Sequence, residues 1–176
     1  TSTQKGILHL PQGWSYQMSY VMNNTSVNID GSSYIIDKDW EDSSGYASGL
    51  KYINNHAIKF TEVLPDVRLK CNNDKLSYHY IYNDADGSHQ YFDLSGKLIA
   101  KDNRFGSCIS YHYNGYGDLY SLYLDHIEDS YGQSYKFNYS PNKVSVVSAG
   151  RNVSSFEYSS NGVLSVSDAM GYKTQY

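Results

Sequence analysis

The second half of the chain repeats one short pattern: an Asp or Asn, then Gly three positions later, then an aromatic residue five positions after that. The four copies are Asp84 with Gly87 and Phe92, Asn103 with Gly106 and Tyr111, Asp129 with Gly132 and Phe137, and Asp168 with Gly171 and Tyr176. Gly adopts backbone angles closed to other residues, and an Asp or Asn side chain accepts backbone hydrogen bonds in a turn. The pattern therefore predicts repeated chain reversals, which indicates a scaffold before an enzyme.

The spacing of the unit glycines predicts the size of each repeat. Including Gly150, they stand at positions 87, 106, 132, 150 and 171, which gives intervals of 19, 26, 18 and 21 residues. About twenty residues accommodate two strands of roughly five to seven residues with a turn at each end. The 20 tyrosines favour half-buried strands, and the many Asn, Ser and Gly favour turns. We therefore predict an all-β fold of consecutive antiparallel hairpins.

Within a unit, the predicted order is glycine, aromatic strand, turn and aliphatic strand. A second aromatic follows the first at alternate spacing as Tyr113 and Tyr139, whereas Gly150 leads into Phe156 and Tyr158 with one extra residue. A shift of one residue reverses the face that side chains occupy, so a bulge or a longer turn must absorb it. Residues 118–129 fit either a short helix or a strand.

Residues 1–83 are predicted to form lead-in β hairpins, continuous with the repeat units of residues 84–176 as one domain. Large apolar residues alternate from Trp14 to Met22, which predicts a strand with that face buried. Asp30-Gly31 predicts a tight hairpin turn. Residues 37–49 are polar and predict an exposed loop, and two further hairpins are predicted around Asn54-Asn55 and around residues 72–74, the latter with a return strand over 76–82.

Charge and composition argue against several partners. The net charge is -4, and no basic block of the kind that neutralises nucleic acid is present. No apolar run approaches the roughly 18 residues needed to cross a bilayer, so we expect no membrane insertion by this segment. The chain begins with Thr1 and ends five residues into a unit, so we expect it to be an excerpt of a longer protein. Both Cys71 and Cys108 lie on predicted strands, which favours two buried free thiols over one disulfide.

The repeat resembles the YD repeat of the RHS family, which includes bacterial polymorphic toxins, the shell components of insecticidal Tc toxins and the teneurins. The best match runs from Ile127 through Asp129 and Gly132 to Phe137 and Tyr139, and the segment from Val166 to Tyr176 repeats it. The likeness is clear over residues 84–176. Val147 departs from the pattern, because it stands where the motif has Asp.

This resemblance implies a curved or spiralling β-sheet strip that forms a hollow shell. In such proteins the shell encloses a toxin or effector domain, so the implied partners are the rest of the shell and that domain. The implied localisation is secreted or cell-surface in a bacterium. The family's self-cleaving core motif has no counterpart here, so no catalytic residues carry over.

Other chemistry receives weaker support from the sequence. His79 and His112 both lie in Tyr-His-Tyr triplets, but no further ligands complete a zinc site. The acidic residues of 37–42 lack the Gly and Glu that a calcium loop requires at its sixth and twelfth positions. No nucleophile elbow, phosphate loop or dinucleotide fingerprint is present, so we expect no enzyme and no cofactor. The alternative function is a carbohydrate-binding module in which surface tyrosines pack on sugar rings.

Overall fold

The chain is built from strands joined by short turns, and its described residues contain no helix. The computed structural model describes residues 18–22, 25–37, 47–50, 59–62, 68–114, 123–158 and 164–176. Contacts divide the chain so that described residues 18–110 belong to an N-terminal unit and residues 111–176 to a C-terminal unit. The predicted all-β fold of antiparallel hairpins is confirmed. The division into a lead-in and repeats at residue 83 stays a prediction.

The N-terminal unit contains a long antiparallel sheet and a separate hairpin. Strands β1 to β5 pair in chain order, β5 pairs with β8, and β8 to β11 again follow chain order. Strands β6 and β7 form a two-stranded sheet of their own. The strands are β1 (Tyr20–Met22), β2 (Ser26–Ile29), β3 (Ser32–Asp37), β4 (Ala47–Leu50), β5 (Lys59–Glu62), β6 (Arg68–Cys71), β7 (Asp74–Ser77), β8 (Tyr80–Asn83), β9 (His89–Phe92), β10 (Leu98–Asp102) and β11 (Cys108–Asn114).

The C-terminal unit begins within β11 and continues as a meander in which every strand pairs with the next. Its strands are β12 (Tyr123–Glu128), β13 (Ser134–Ser140), β14 (Lys143–Ser148), β15 (Arg151–Tyr158), β16 (Leu164–Asp168) and β17 (Lys173–Gln175). Residues 123–128 are therefore a strand rather than a helix, and residues 115–122 lie outside the described part. The side chains of paired residues on adjacent strands pack against one another, because paired residues lie on the same face of the sheet.

The first predicted hairpin is confirmed, and its turn has the expected geometry. Strands β2 and β3 pair from Ser26↔Ile35 to Ile29↔Ser32. Between them, Asp30 and Gly31 both have positive φ, at 48° and 92°. A two-residue turn of this kind matches the natural twist of paired strands, which explains why Asp-Gly occupies it.

The buried face of β1 is the opposite of the one predicted. Ser19 and Val21 are buried, whereas Met22 is exposed and Tyr20 is half-buried. The reason is that Val21 lies against the turn between β9 and β10, where its N–H donates to the Gly96 carbonyl at 2.9 Å. Residues 14–17 of the predicted strand lie outside the described residues.

Two other segments of the lead-in differ from expectation. Strand β4 begins at Ala47, inside the predicted loop 37–49, because it pairs with both β3 and β5. The return strand predicted over 76–82 is interrupted at Tyr78 and His79, where the His79 N–H donates to the Phe92 carbonyl at 2.7 Å. After this break β8 pairs with β5 and β9 instead of continuing the β6–β7 hairpin. The Asn54-Asn55 turn lies outside the described part of the chain.

Candidate functional site

The repeated turns share one backbone hydrogen-bond pattern, which we term the repeat turn. In each, the Gly N–H donates to the carbonyl of the Asp or Asn three residues earlier, as in Gly132 to Asp129 at 2.9 Å. The N–H of that Asp or Asn donates to the carbonyl four residues later, as in Asp129 to Gln133 at 3.0 Å. This arrangement is a three-residue hairpin loop with Gly in the left-handed region. The same two bonds recur where Gly87 follows Asp84, where Gly106 follows Asn103 and where Gly171 follows Asp168.

The side chain of the first residue completes three of these turns. The Asp129 Oδ1 atom accepts the Tyr131 N–H at 2.9 Å and the Gln133 N–H at 3.0 Å. Asn103 and Asp168 accept the equivalent two amides at 2.9 to 3.1 Å. One oxygen therefore satisfies two backbone donors that the turn leaves without strand partners.

The turn at Gly87 departs from the predicted pattern in its side chains. Gly87 has the expected positive φ of 83°, but the Asp84 carboxylate accepts the neighbouring Ala85 amide, and Asp86 accepts the Ser88 amide in its place. A Cβ atom at position 87 would lie 3.2 Å from the Arg104 Cβ. Gly87 therefore meets a steric as well as a backbone requirement, which the repeat pattern alone does not indicate.

The unit that Gly171 opens departs from the pattern at its aromatic residue. Gly171 has a φ of 85° and nothing within 4 Å of its Cβ position, so the turn itself has the expected geometry. The strand after it, β17, ends at Gln175. Tyr176 therefore lies beyond the strand on which it was expected, and it is exposed. Among the described strands β17 pairs with β16 alone, and no described strand covers the ring.

A fifth repeat turn lies in the middle of a unit, at Ser95-Gly96, where a turn was predicted but not one with this geometry. Asp93 and Gly96 make both backbone bonds of the pattern, and Asp93 Oδ1 accepts the Ser95 and Lys97 amides at 2.9 and 3.0 Å. A sequence signal is present, since Asp93-Leu94-Ser95-Gly96 has the same Asp-x-x-Gly spacing. No aromatic follows Gly96 at five residues, so this turn does not match the full pattern. The repeat turn thus joins β9 to β10 as well as the strand pairs that the predicted turns connect at the other end of the strands.

Gly150 lies in a different kind of turn. Ser148 pairs with Arg151, so only Ala149 and Gly150 form the loop, with φ of 49° and 75°. The extra residue predicted before Phe156 is absorbed by a bulge, since Val146 pairs with Ser154 but Val147 pairs with Asn152. Val153 is the unpaired residue. Of the two predicted alternatives, a bulge or a longer turn, the structure has the bulge, and the absence of Asp at position 147 is explained by the shorter turn.

The repeat aromatics lie mainly on the strands that follow the turns. In the C-terminal unit Val144 pairs with both Tyr139 and Phe156, so these rings flank one buried valine on a common face. The Tyr139 hydroxyl donates to the Leu124 carbonyl at 2.8 Å, and its ring meets Tyr123 edge to face. Among the remaining strand aromatics Phe92 is fully buried, and Tyr111, Tyr113, Phe137 and Tyr158 are half-buried.

The prediction of two free thiols is wrong, because Cys71 and Cys108 form a disulfide with a Cα–Cα distance of 5.5 Å. Cys71 ends β6 and Cys108 begins β11, and the bond ties the β6–β7 hairpin to the larger sheet. Both cysteines are buried in a cluster with Tyr91, Ile99 and Ala100. The topology brings two strands 37 residues apart into contact, which the low number of cysteines did not indicate.

A network of polar side chains spans β9 and β10 beside the disulfide. The Tyr91 hydroxyl donates to one Asp102 oxygen at 2.7 Å, and His89 Nδ1 lies 2.6 Å from the other. Burial, then the Asp102 contact, raises the pKa of Tyr91 above its ordinary value. An Asp–His pair can serve nucleophilic catalysis, but the residue paired with Asp102 on β11 is Cys108, whose sulfur is held in the disulfide. The network therefore ties strands together.

Asp30 anchors the β2–β3 turn to β9 and β10. Its carboxylate accepts hydrogen bonds from Ser19 Oγ at 3.3 Å, Gln90 Nε2 at 3.0 Å and Lys101 Nζ at 2.6 Å. Partial burial acts to raise the pKa of Asp30, but the hydrogen bond and charge of Lys101, together with the hydrogen bonds from Gln90 and Ser19, outweigh it and leave the pKa below its usual value. The ionised carboxylate is thus the form that the fold holds.

The histidines do not assemble a metal site in the described part of the chain, where no group of three or more His, Cys, Asp or Glu could hold an ion. His112 stacks on His126 of the next strand, with ring centroids 4.1 Å apart, and His79 meets Tyr80 edge to face. His126 Nδ1 also lies 2.7 Å from Asp125, and this hydrogen bond lowers the pKa of the Asp125 carboxyl. Of the acidic segment 37–42, only Asp37 lies within the described residues.

The sequence matches no family model and no curated protein. The described residues contain no helix with the length and apolar character needed to span a membrane. What the repeat turns, paired aromatics and disulfide provide chemically is fixed backbone reversal and side-chain packing.

Proposed function

We propose that the chain is a non-catalytic structural segment of an RHS-type YD-repeat shell that encloses or presents a toxin or effector domain. The observation that carries this proposal is the recurrence of one turn geometry. At Asn103, Asp129 and Asp168 a single side-chain oxygen accepts the amides two and four residues later. A turn reproduced at this level of detail serves to lay successive hairpins side by side.

The two faces of the C-terminal sheet support a wall-like role. One face carries Tyr139, Val144, Phe156 and Val166 in one cross-strand row. The opposite face is polar, with Lys143 paired to Glu157 and their side chains 2.8 Å apart. Tyr139 and Phe156, on either side of the fully buried Val144, are not themselves fully covered within the described structure, as expected for a layer that adjoins further protein.

The disulfide supports a secreted or cell-surface localisation. Disulfides persist in oxidising compartments and are rare in the cytosol. The buried bond between Cys71 and Cys108 joins separate sheets, so the oxidised form belongs to the folded state. The disulfide bears on localisation independently of the family resemblance.

The shell proposal is tested on the complete gene product. We expect further Asp-x-x-Gly units around residues 1–176 and an unrelated terminal domain beyond them. Limited proteolysis should leave that domain intact while the repeats are folded, and should degrade it once they are unfolded in urea. A terminal domain that is digested equally fast in both states would contradict enclosure.

The alternative of carbohydrate binding is favoured by one observation, the exposure of tyrosines near the repeat turns. Tyr131 is 93% exposed, and Tyr172 and Tyr176 are also exposed. Such rings can pack on sugars. A glycan array probed with the chain and with a variant carrying both Tyr131→Ala and Tyr172→Ala separates the two functions, because only the binding module predicts signals that the variant loses.

A further inference from the structure

The β6–β7 hairpin has two faces of opposite character. Its register pairs Leu69 with Leu76 on one face and Lys70 with Lys75 on the other. Leu69 and Leu76 pack against the cluster around the disulfide. The outward face carries Arg68, Lys70, Lys75 and Ser77, all of which are exposed. We term this outward face the cationic face.

The cationic face is a local concentration of positive charge on an acidic chain. The whole sequence carries a net charge of -4, yet this short hairpin places three cations on one side. Cross-strand partners lie about 4.5–5.5 Å apart at Cβ, and like charges directly opposite destabilise a sheet. Among the described residues Arg68, Lys70 and Lys75 form no ion pair. Within the described part of the chain, the fold therefore does not offset the repulsion that it creates.

The chemistry of this face selects a polyanion over other partners. Its exposed side chains, including Asn73 at the turn, are all polar. A folded protein partner needs apolar or aromatic anchors at the centre of its interface, and membrane insertion needs apolar side chains. Stable attraction to acidic lipids takes about four to eight Lys or Arg, and duplex DNA binding typically takes about six to ten phosphate contacts. Three cations in a row suit a smaller, densely charged group.

We propose that the cationic face binds a sulfated polysaccharide. One sulfate group lies between the Lys70 and Lys75 ammonium groups, and Arg68, two residues along the strand and about 7 Å away, contacts the next. The buried disulfide beneath the hairpin holds the backbone that carries the three side chains in place before the ligand binds, which reduces the ordering cost of binding. The same bond is typical of proteins in oxidising compartments, where cell-surface polysaccharides are met. This binding activity is separate from the scaffold role and does not depend on it.

The test compares two charge-matched variants by heparin affinity and by the salt dependence of binding. Combining Lys70→Gln with Lys75→Gln removes two charges from the cationic face, and combining Lys136→Gln with Arg151→Gln removes two exposed charges from the C-terminal unit. We expect the first variant to bind heparin about tenfold more weakly at about 0.15 M salt. We also expect the slope of log Kd against log salt to fall by about two thirds, because two of three contacts are lost. The second variant should bind like the wild type.

Three results would overturn the proposal: equal loss in both variants, no heparin binding by the wild type, or tighter binding to polyglutamate or duplex DNA at matched charge concentration. The first indicates attraction by net charge alone, and the last assigns the face to an acidic peptide or a nucleic acid. Circular dichroism of both variants should match that of the wild type, since the substituted side chains are exposed.

Discussion

Gly96→Ala should destabilise the N-terminal unit far more than the same substitution in an equivalent turn. A Cβ atom at position 96 would lie 2.1 Å from the Val21 carbonyl oxygen and 3.2 Å from the Val21 Cβ. The first distance involves backbone, so relief requires β1 or the turn to move by about 1 Å, the shortfall from an ordinary contact. That movement disrupts the bond from the Val21 N–H to the Gly96 carbonyl.

The expected destabilisation by Gly96→Ala is the sum of three contributions. Alanine at φ of +84° costs about 1–2 kcal/mol. Loss of the backbone hydrogen bond costs about 1 kcal/mol, and repacking around buried Val21 costs about 1–3 kcal/mol. The sum is a loss of about 3–6 kcal/mol in the free energy of unfolding.

Gly106 is a matched control, because it lies in a repeat turn of the same unit, also at φ of +84°, with nothing within 4 Å of its Cβ position. Gly106→Ala should cost only the backbone contribution, about 1–2 kcal/mol. Urea unfolding followed by circular dichroism, with amide exchange in residues 18–22, measures both variants. Equal destabilisation of the two variants would show that the close approach of β1 to the turn does not exist in solution.

Three further predictions concern the disulfide, a carboxylate and a turn. Replacing Cys71 and Cys108 by Ser should lower the free energy of unfolding by about 4 kcal/mol, because the loop-closure entropy over a separation of 37 residues is lost. Dithiothreitol should lower the urea midpoint of the wild type but not of this variant. A wild type unaffected by dithiothreitol would contradict a stabilising bond. Hydrogen bonds from two lysines lower the pKa of Glu157 from 4.5 to about 2, so its contribution to stability should be present above pH 4.5 and lost as the pH falls towards 2. Glu157→Gln should flatten the dependence of the urea midpoint on pH in that window, and an unchanged profile would refute the ion pairs. Asp129→Ala should cost about 1–2 kcal/mol through the loss of two accepted hydrogen bonds, whereas Asp129→Asn, the residue naturally at position 103, should keep most of the stability in the same assay.

The sequence predicted the local geometry well, because turns depend on residues close together in the chain. The two-residue turn at Asp30-Gly31 requires positive φ at both positions, and the hairpin that this dipeptide predicts is confirmed. The alternating aromatics indicated strands, and one surplus residue before Phe156 indicated a bulge or a longer turn, of which the structure has the bulge, at Val153. These features follow from backbone preferences alone.

Contacts between distant segments were not predictable in the same way. Nothing near Cys71 indicates that β11 lies beside it, so the disulfide could not be predicted. The approach of Arg104 to Gly87 likewise depends on which turns lie side by side, and the sequence does not specify this. Val21 is buried instead of Met22 because β1 lies against the Gly96 turn, an approach that only the assembled sheet reveals. At β1, tertiary packing rather than the alternation of apolar residues determines which face is buried.

The bulge at Val153 has a consequence for how arrays of this kind change over evolution. If Val153 were paired with Val146 instead of bulged, Ser155 would stand opposite Val144, and the rings of β15 would turn towards the polar side. A single-residue insertion is thus absorbed within one strand, and the units downstream keep their orientation. Lineages can therefore accumulate repeats of unequal length, 18 to 26 residues in this chain. The side chains of neighbouring repeats still lie on the same faces of the sheet.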